Sequence, residues 1–202
     1  MQSVKHNSQL NIKEAMDAPP PPPIHFDPPA QVQHVDAPAG SFKSYYHASF
    51  MPTASFINYI KKVENGVKAG YKNGIWHPHK SVEGGTDTIA YGHKLHSGDN
   101  FSKGITDEEA TKLLIKDILK ASDTAKHIVN KNYGVGTYES LPDENKEMLV
   151  DYAFNGVINK FPQFVDGVVN NDMSIMTAQY KRYVNGKELT GRNSAFASRY
   201  FN

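Results

Sequence analysis

From Phe56 onward the apolar positions follow first a helical period, then an extended one, then a helical one again. Phe56, Ile60 and Val63, with Tyr59 beside them, share one helical face, and Gly66 is placed to stop that helix. Between Val67 and about His96 the helical period is lost. Gly, Tyr, Trp, Thr and Ile alternate there with turn residues, which predicts a small sheet of two or three strands. Thr106-Asp107-Glu108-Glu109 is a capping box, with the Thr106 hydroxyl and the Glu109 carboxylate each satisfying a free N–H. The helix it opens carries Ala110, Leu113, Leu114, Ile118 and Ala121 as its apolar stripe. Pro142 opens another, with Met148, Leu149, Tyr152, Ala153 and Phe154. Shorter helices are predicted over Pro162–Val169, Ile175–Tyr183 and Ser194–Phe201. A helix, a small antiparallel sheet and then many helices make an α+β chain with its helices segregated.

The first fifty residues are of another kind. Eight of the twelve prolines lie between Pro19 and Pro38, five of them consecutive from Pro19 to Pro23. Such a run favours extended polyproline II and buries little apolar surface, so it reads as a spacer or as an arm that docks on a partner. The expected division is a proline-rich arm or linker over 1–50 and a globular domain over 51–202. The 202 residues contain no cysteine, which excludes a disulfide framework and cysteine-ligated metal. The net charge of +1 leaves no electrostatic footprint for nucleic acid. No apolar run reaches the roughly 18 residues of a membrane span, and the first thirty residues lack the apolar core of a signal peptide.

Candidate chemistry begins at Glu64. It falls in the last turn of the first predicted helix, beside Ile60 and Val63. The negative end of the helix dipole and the apolar neighbours both favour the protonated, proton-donating form of a carboxyl there. A strand reading Thr88-Ile89-Ala90-Tyr91-Gly92-His93 follows a glycine-rich stretch. Alternation would put Thr88, Ala90 and Gly92 on one face, so that Thr88 points into a cleft and holds a water. Cleavage of a glycosidic bond usually needs an acid on the leaving oxygen and a second group across the sugar ring.

These residues resemble the phage-type lysozymes, the muramidases of glycoside hydrolase family 24. The resemblance runs from about Phe56 to Phe201 and excludes the arm. It implies a two-lobed lysozyme-like fold, with Glu64 as general acid and Thr88 facing it. It also implies a structural ion pair between His93 and Asp117, which stands twelve residues after Ile105 on the apolar stripe. A carboxylate on such a stripe needs a partner. Phe154-Asn155-Gly156 resembles the stretch at the family's substrate cleft and makes Asn155 a candidate sugar contact, or else a helix cap. Leu189-Thr190-Gly191-Arg192-Asn193 resembles the turn into the last helix, where Arg192 or Asn193 would reach the cleft.

The chain departs from the family at its second carboxylate. Asn73 stands nine residues after Glu64, where the family places an aspartate. Glu83, five residues before Thr88, is the expected substitute for base or electrostatic partner; Asp87 would face away. Without Glu83, Glu64 would act alone, as in a lytic transglycosylase. The resemblance thus implies hydrolysis of the β-1,4 bond between N-acetylmuramic acid and N-acetylglucosamine in peptidoglycan, with no cofactor and no metal. The arm suggests a virion-associated enzyme of a bacteriophage. It would be tethered to phage structural proteins through residues 1–50, in a tail or an ejected assembly, and would act at the bacterial cell wall; a host-cytoplasmic endolysin is the alternative. Two rivals remain: a catalytically silent lysozyme-fold component of a virion, and a metallo-hydrolase built on His77, His79, His93, His96 and Asp99.

Overall fold

The computed structural model describes residues 50–81 and 85–201. The arm up to Ser49, and Glu83, lie outside the described residues. The first helix, α1 (Ala54–Asn65), is capped by the Thr53 hydroxyl, which accepts the Phe56 N–H at 3.1 Å. It buries Phe56, Tyr59 and Ile60, and Phe50 packs edge-on against Phe56 with ring centroids 5.9 Å apart.

Six short strands follow: β1 (Tyr71–Lys72), β2 (Ile75–Trp76), β3 (His79–Lys80), β4 (Asp87–Ile89), β5 (His93–Lys94) and β6 (Ile105–Thr106). They form two antiparallel sheets, β1-β2-β6 and β3-β4-β5, where the sequence predicted one. The first hairpin turns on Asn73 (φ 50°) and Gly74 (φ 83°), a pair suited to a two-residue turn that needs positive φ at both positions. Thr88 pairs with both His79 and Lys94 across the second sheet, and Ile89 pairs with His93. The expected alternation stops at Ile89. Ala90 has φ 54°, so the chain turns there instead of running on as a strand to His93.

The helical region is built on α2 (Asp107–Tyr133), which carries the predicted capping box intact. After the short α3 (Thr137–Ser140) comes α4 (Asp143–Phe154), and α2 packs along it. Every residue of α4 from Asn145 to Tyr152 is buried, which makes it the central helix. A 3-10 turn (Ile158–Lys160), α5 (Pro162–Val169) and α6 (Met173–Gln179) lead to a hairpin, β7 (Tyr183–Val184) and β8 (Lys187–Glu188), and then to α7 (Thr190–Tyr200). The helix expected over Ile175–Tyr183 therefore ends early. Asn185 and Gly186, at φ 50° and 75°, turn the chain back as a hairpin, and Tyr183 lies in a strand. The last helix begins four residues sooner than expected, at Thr190. Its core is aromatic: Tyr152 stacks on Phe164 at 4.3 Å, and Phe196 meets both rings at 5.6 and 5.7 Å. The described residues combine helices with three small antiparallel sheets, an arrangement compatible with an α+β class. No helix among the described residues is long and apolar enough to cross a membrane.

Candidate active site

Three helices bring their polar residues to one seam. On α4, Glu147 and Asp151 are one helical step apart and share a face. On α7, Arg192 and Arg199 lie seven residues apart and share another. Along α1 run Tyr59 and Glu64. At one end Arg199 donates to Glu147 at 2.6 Å, and the Thr53 hydroxyl donates to the other Glu147 oxygen at 3.0 Å. At the opposite end stands the candidate site.

There, Arg192 is divided between two carboxylates. Its Nη1 donates to Glu64 Oε1 at 2.6 Å and its Nη2 to Asp151 Oδ1 at 2.6 Å. Asp151, fully buried, accepts from Arg182 Nη2 at 2.6 Å and from the Tyr59 hydroxyl at 3.0 Å through Oδ2. Arg182 is also buried, with its guanidinium 4.0 Å above the Tyr152 ring. The Asn193 amide fixes its backbone, accepting from the Arg182 N–H at 2.9 Å and donating to its carbonyl at 3.1 Å. Two cations and two anions thus form one chain from Arg182 through Asp151 and Arg192 to Glu64, without net charge.

The electrostatics follow. Burial alone would raise the Asp151 carboxyl, but the Arg182 and Arg192 charges outweigh it and hold it down at about 2. Burial likewise works against the charge on Arg192, but Asp151 and Glu64 prevail and hold it firmly protonated. The Tyr59 hydroxyl is pushed up by burial and by Asp151, so it stays a donor.

Asn65 sets Glu64 against the sheet. Its amide nitrogen donates to the carbonyls of Ala90 (2.7 Å) and Ala69 (3.0 Å), and its oxygen accepts the Ala69 N–H at 2.8 Å. The end of α1 is thereby tied to the turn after β4. Gly92 of that turn, at φ 87°, faces the carboxylate: a Cβ there would lie 3.7 Å from Glu64 Oε2. The Glu64 side chain keeps 15% of its surface exposed, enough for a ligand to reach it.

The other candidates are placed as follows. Thr88 is buried, and its hydroxyl donates to the His79 carbonyl at 3.4 Å. His93 Nδ1 lies 2.8 Å from Asp117 Oδ2, which joins the second sheet to α2. Asn155 caps α4 and accepts from Arg182 Nη1 at 3.4 Å, while Gly156 (φ 68°) turns the chain away. Arg192, a candidate sugar contact, is engaged by Glu64 and Asp151, two carboxylates that need a cation. Asn73 is an exposed turn residue. Asp87 pairs with Lys80 at 2.9 Å on the surface. Among the described residues no cluster of three or more His, Asp or Glu side chains is disposed to hold a metal ion.

The sequence reading missed Asp151, Arg182 and Asn65. A signal existed for Asp151: a carboxylate inside Met148-Leu149-Val150-Asp151-Tyr152 demands a buried partner. Comparison of the chain with protein-family models, with curated proteins and with solved structures finds no match.

Proposed function

We propose that this protein is a peptidoglycan hydrolase of lysozyme-like fold. It cleaves the β-1,4 bond between N-acetylmuramic acid and N-acetylglucosamine, with Glu64 as general acid. The observation that carries the reading is the setting of Glu64. A partly exposed carboxylate at the end of α1 is gripped through one oxygen by Arg192, while the other faces Gly92 of the turn after the Thr88 strand. In this reading the Glu64 carboxyl carries the proton to a leaving group bound along the hairpin.

The second group is Glu83, acting as base or electrostatic partner, with Thr88 placing the water. The resemblance to the phage-type lysozymes and the proline-rich arm support a setting in a bacteriophage particle, with residues 1–50 as the tether to a structural protein. A single-acid mechanism is the second reading. It is favoured by Asn73, which lies at a hairpin tip where the family has an aspartate and cannot act as a base.

Muropeptide mass spectrometry of purified peptidoglycan digested by wild type, Glu64→Gln and Glu83→Gln tests both. Reducing muramic ends that disappear in both variants support a hydrolase with two carboxylates. Anhydro ends, or an active Glu83→Gln variant, support the single-acid route. No cleavage by wild type contradicts the proposal.

A further inference from the structure

The chain as a whole carries a net charge of +1, but its cations are not evenly spread. On α2, Lys112, Lys116, Lys120, His127 and Lys131 follow one another at intervals of four, four, seven and four residues, and all five are exposed. Those intervals put them on one helical face. The opposite face carries Leu114, Ile118, Ala121, Ala125 and Val129, all buried. At a rise of about 1.5 Å per residue, the ridge from Lys112 to Lys131 is about 28 Å long. Lys112 is paired with Glu108 at 2.6 Å. Lys116, Lys120 and Lys131 enter no ion pair among the described residues, whereas the neighbouring Lys126 meets Glu139 at 2.6 Å. The acids of α2 are mostly committed elsewhere: Asp107 to Trp76 and Tyr91, Glu109 to the capping box, Asp117 to His93. Asp123 is the one exposed acid that interrupts the ridge.

Such a line is no pocket for a small anion, because its cations are spread along the helix and not gathered on one point. Nor can α2 sink into a bilayer, since its apolar stripe is already buried in the core. What the ridge matches is a long polymer whose anions recur. We propose that the exposed face of α2 is a second, non-catalytic contact for peptidoglycan, which recognises the carboxylates of the stem peptides. This inference rests on the reading of the chain as a peptidoglycan hydrolase. The ridge shares no residue with the seam of α1, α4 and α7 that holds Glu64, so it adds retention on the wall and leaves the chemistry to the seam. Its attraction reaches about 30 Å at 0.01 M salt, the length of the ridge itself, and about 8 Å at 0.15 M.

The test is binding of the full chain to purified, insoluble peptidoglycan at about 0.01 M and about 0.15 M salt, with Glu64→Gln present throughout to prevent digestion. The ridge variant is Lys116→Gln/Lys120→Gln/Lys131→Gln. Glutamine matches lysine in helix propensity, and the three positions are exposed, so α2 is kept; circular dichroism checks it. The control, Lys103→Gln/Lys160→Gln/Lys187→Gln, removes the same charge from exposed lysines outside α2. Asp123→Asn removes the acid from the ridge. Peptidoglycan with its carboxyls capped as amides, vesicles of anionic phospholipid and duplex DNA are run beside the native polymer.

At roughly twofold per lysine, the ridge variant should bind native peptidoglycan at least about fivefold more weakly at low salt and lose most of its salt dependence. The control should bind as the parent does, and Asp123→Asn about twofold more tightly. Capping the carboxyls should lower the parent to the level of the ridge variant. A ridge variant that binds like its parent, a control that loses as much, or binding indifferent to capping overturns the proposal. So does ridge-dependent binding that is tighter on the vesicles or on DNA than on peptidoglycan. Muramic-end release by wild type is scored separately. A wild type that binds through the ridge but releases nothing defeats the hydrolase reading and leaves the contact standing. An active wild type whose binding ignores the ridge does the reverse.

Discussion

Between Tyr71 and Thr106 the chain is held by turns and single polar contacts, whereas from Asp107 to Tyr200 it is held by apolar packing. The strands of the first region are two or three residues long and bury two large side chains completely, Trp76 and Ile89. Its indole N–H and the Tyr91 hydroxyl both donate to Asp107 Oδ1 at 3.0 Å, and His93 reaches Asp117. The second region buries Leu149, Val150, Tyr152, Phe164, Val168 and Phe196 without residual exposure. A change in the first region should move a loop and cost little. Loss of a fully buried charge in the second, Asp151 or Arg182, should destabilise the molecule most, because a buried ion tolerates no missing partner. The candidate site lies at the junction. Glu64 is set against the hairpin by the contacts of Asn65 and against the core by a chain of buried ions.

Substitutions should separate the two regimes. The largest effect is expected from Asp151→Ala, which leaves Arg182 and Arg192 buried without their shared anion. The loss should be about 3–5 kcal/mol in urea unfolding, and a loss below about 1 kcal/mol would mean that the chain of ions does not hold the seam. Acid should find the same weak point. The folded Asp151 carboxyl, at about 2, lies below its unfolded value. Its stabilisation is complete above the unfolded value of about 3.9 and is lost as pH falls through the folded one. Stability should therefore drop by about 2 kcal/mol between roughly pH 4 and pH 2, and Asp151→Asn should flatten that part of the curve.

Asp107→Ala removes the acceptor of Trp76 and Tyr91 and should cost about 1–2 kcal/mol. Loss of amide-exchange protection should be confined to Tyr71–Thr106, and protection lost throughout α4 would erase the contrast between the regions. Asp117→Asn is expected to cost least, about 1 kcal/mol, because both members of the His93 pair keep about a fifth of their side-chain surface in water.

Local spacing made much of the molecule legible before any coordinates. The capping box at Thr106 and the apolar stripe of α2 depend on residues within a few turns of each other, as does the place of Glu64 at the end of α1. Two sheets instead of one, and the hairpin at Tyr183–Glu188, were missed. Asn73-Gly74 and Asn185-Gly186 were the turn signals, and each reverses the chain within two residues. The Arg182–Asp151–Arg192 chain links residues 31 and 41 positions apart, which leaves no periodic trace. It is visible only as an obligation: a carboxylate in the middle of α4 must find cations somewhere. Arg192 was placed near the cleft by resemblance, but its split fork depends on Asp151, which the resemblance did not supply.

The most direct test of the account is the release of reducing muramic ends from purified peptidoglycan by the full chain, beside a binding measurement on the same polymer. Glu64→Gln should bind as wild type does and release at least about 100-fold fewer ends, the share that a general acid contributes. Equal release by Glu64→Gln, or none by wild type, would contradict it.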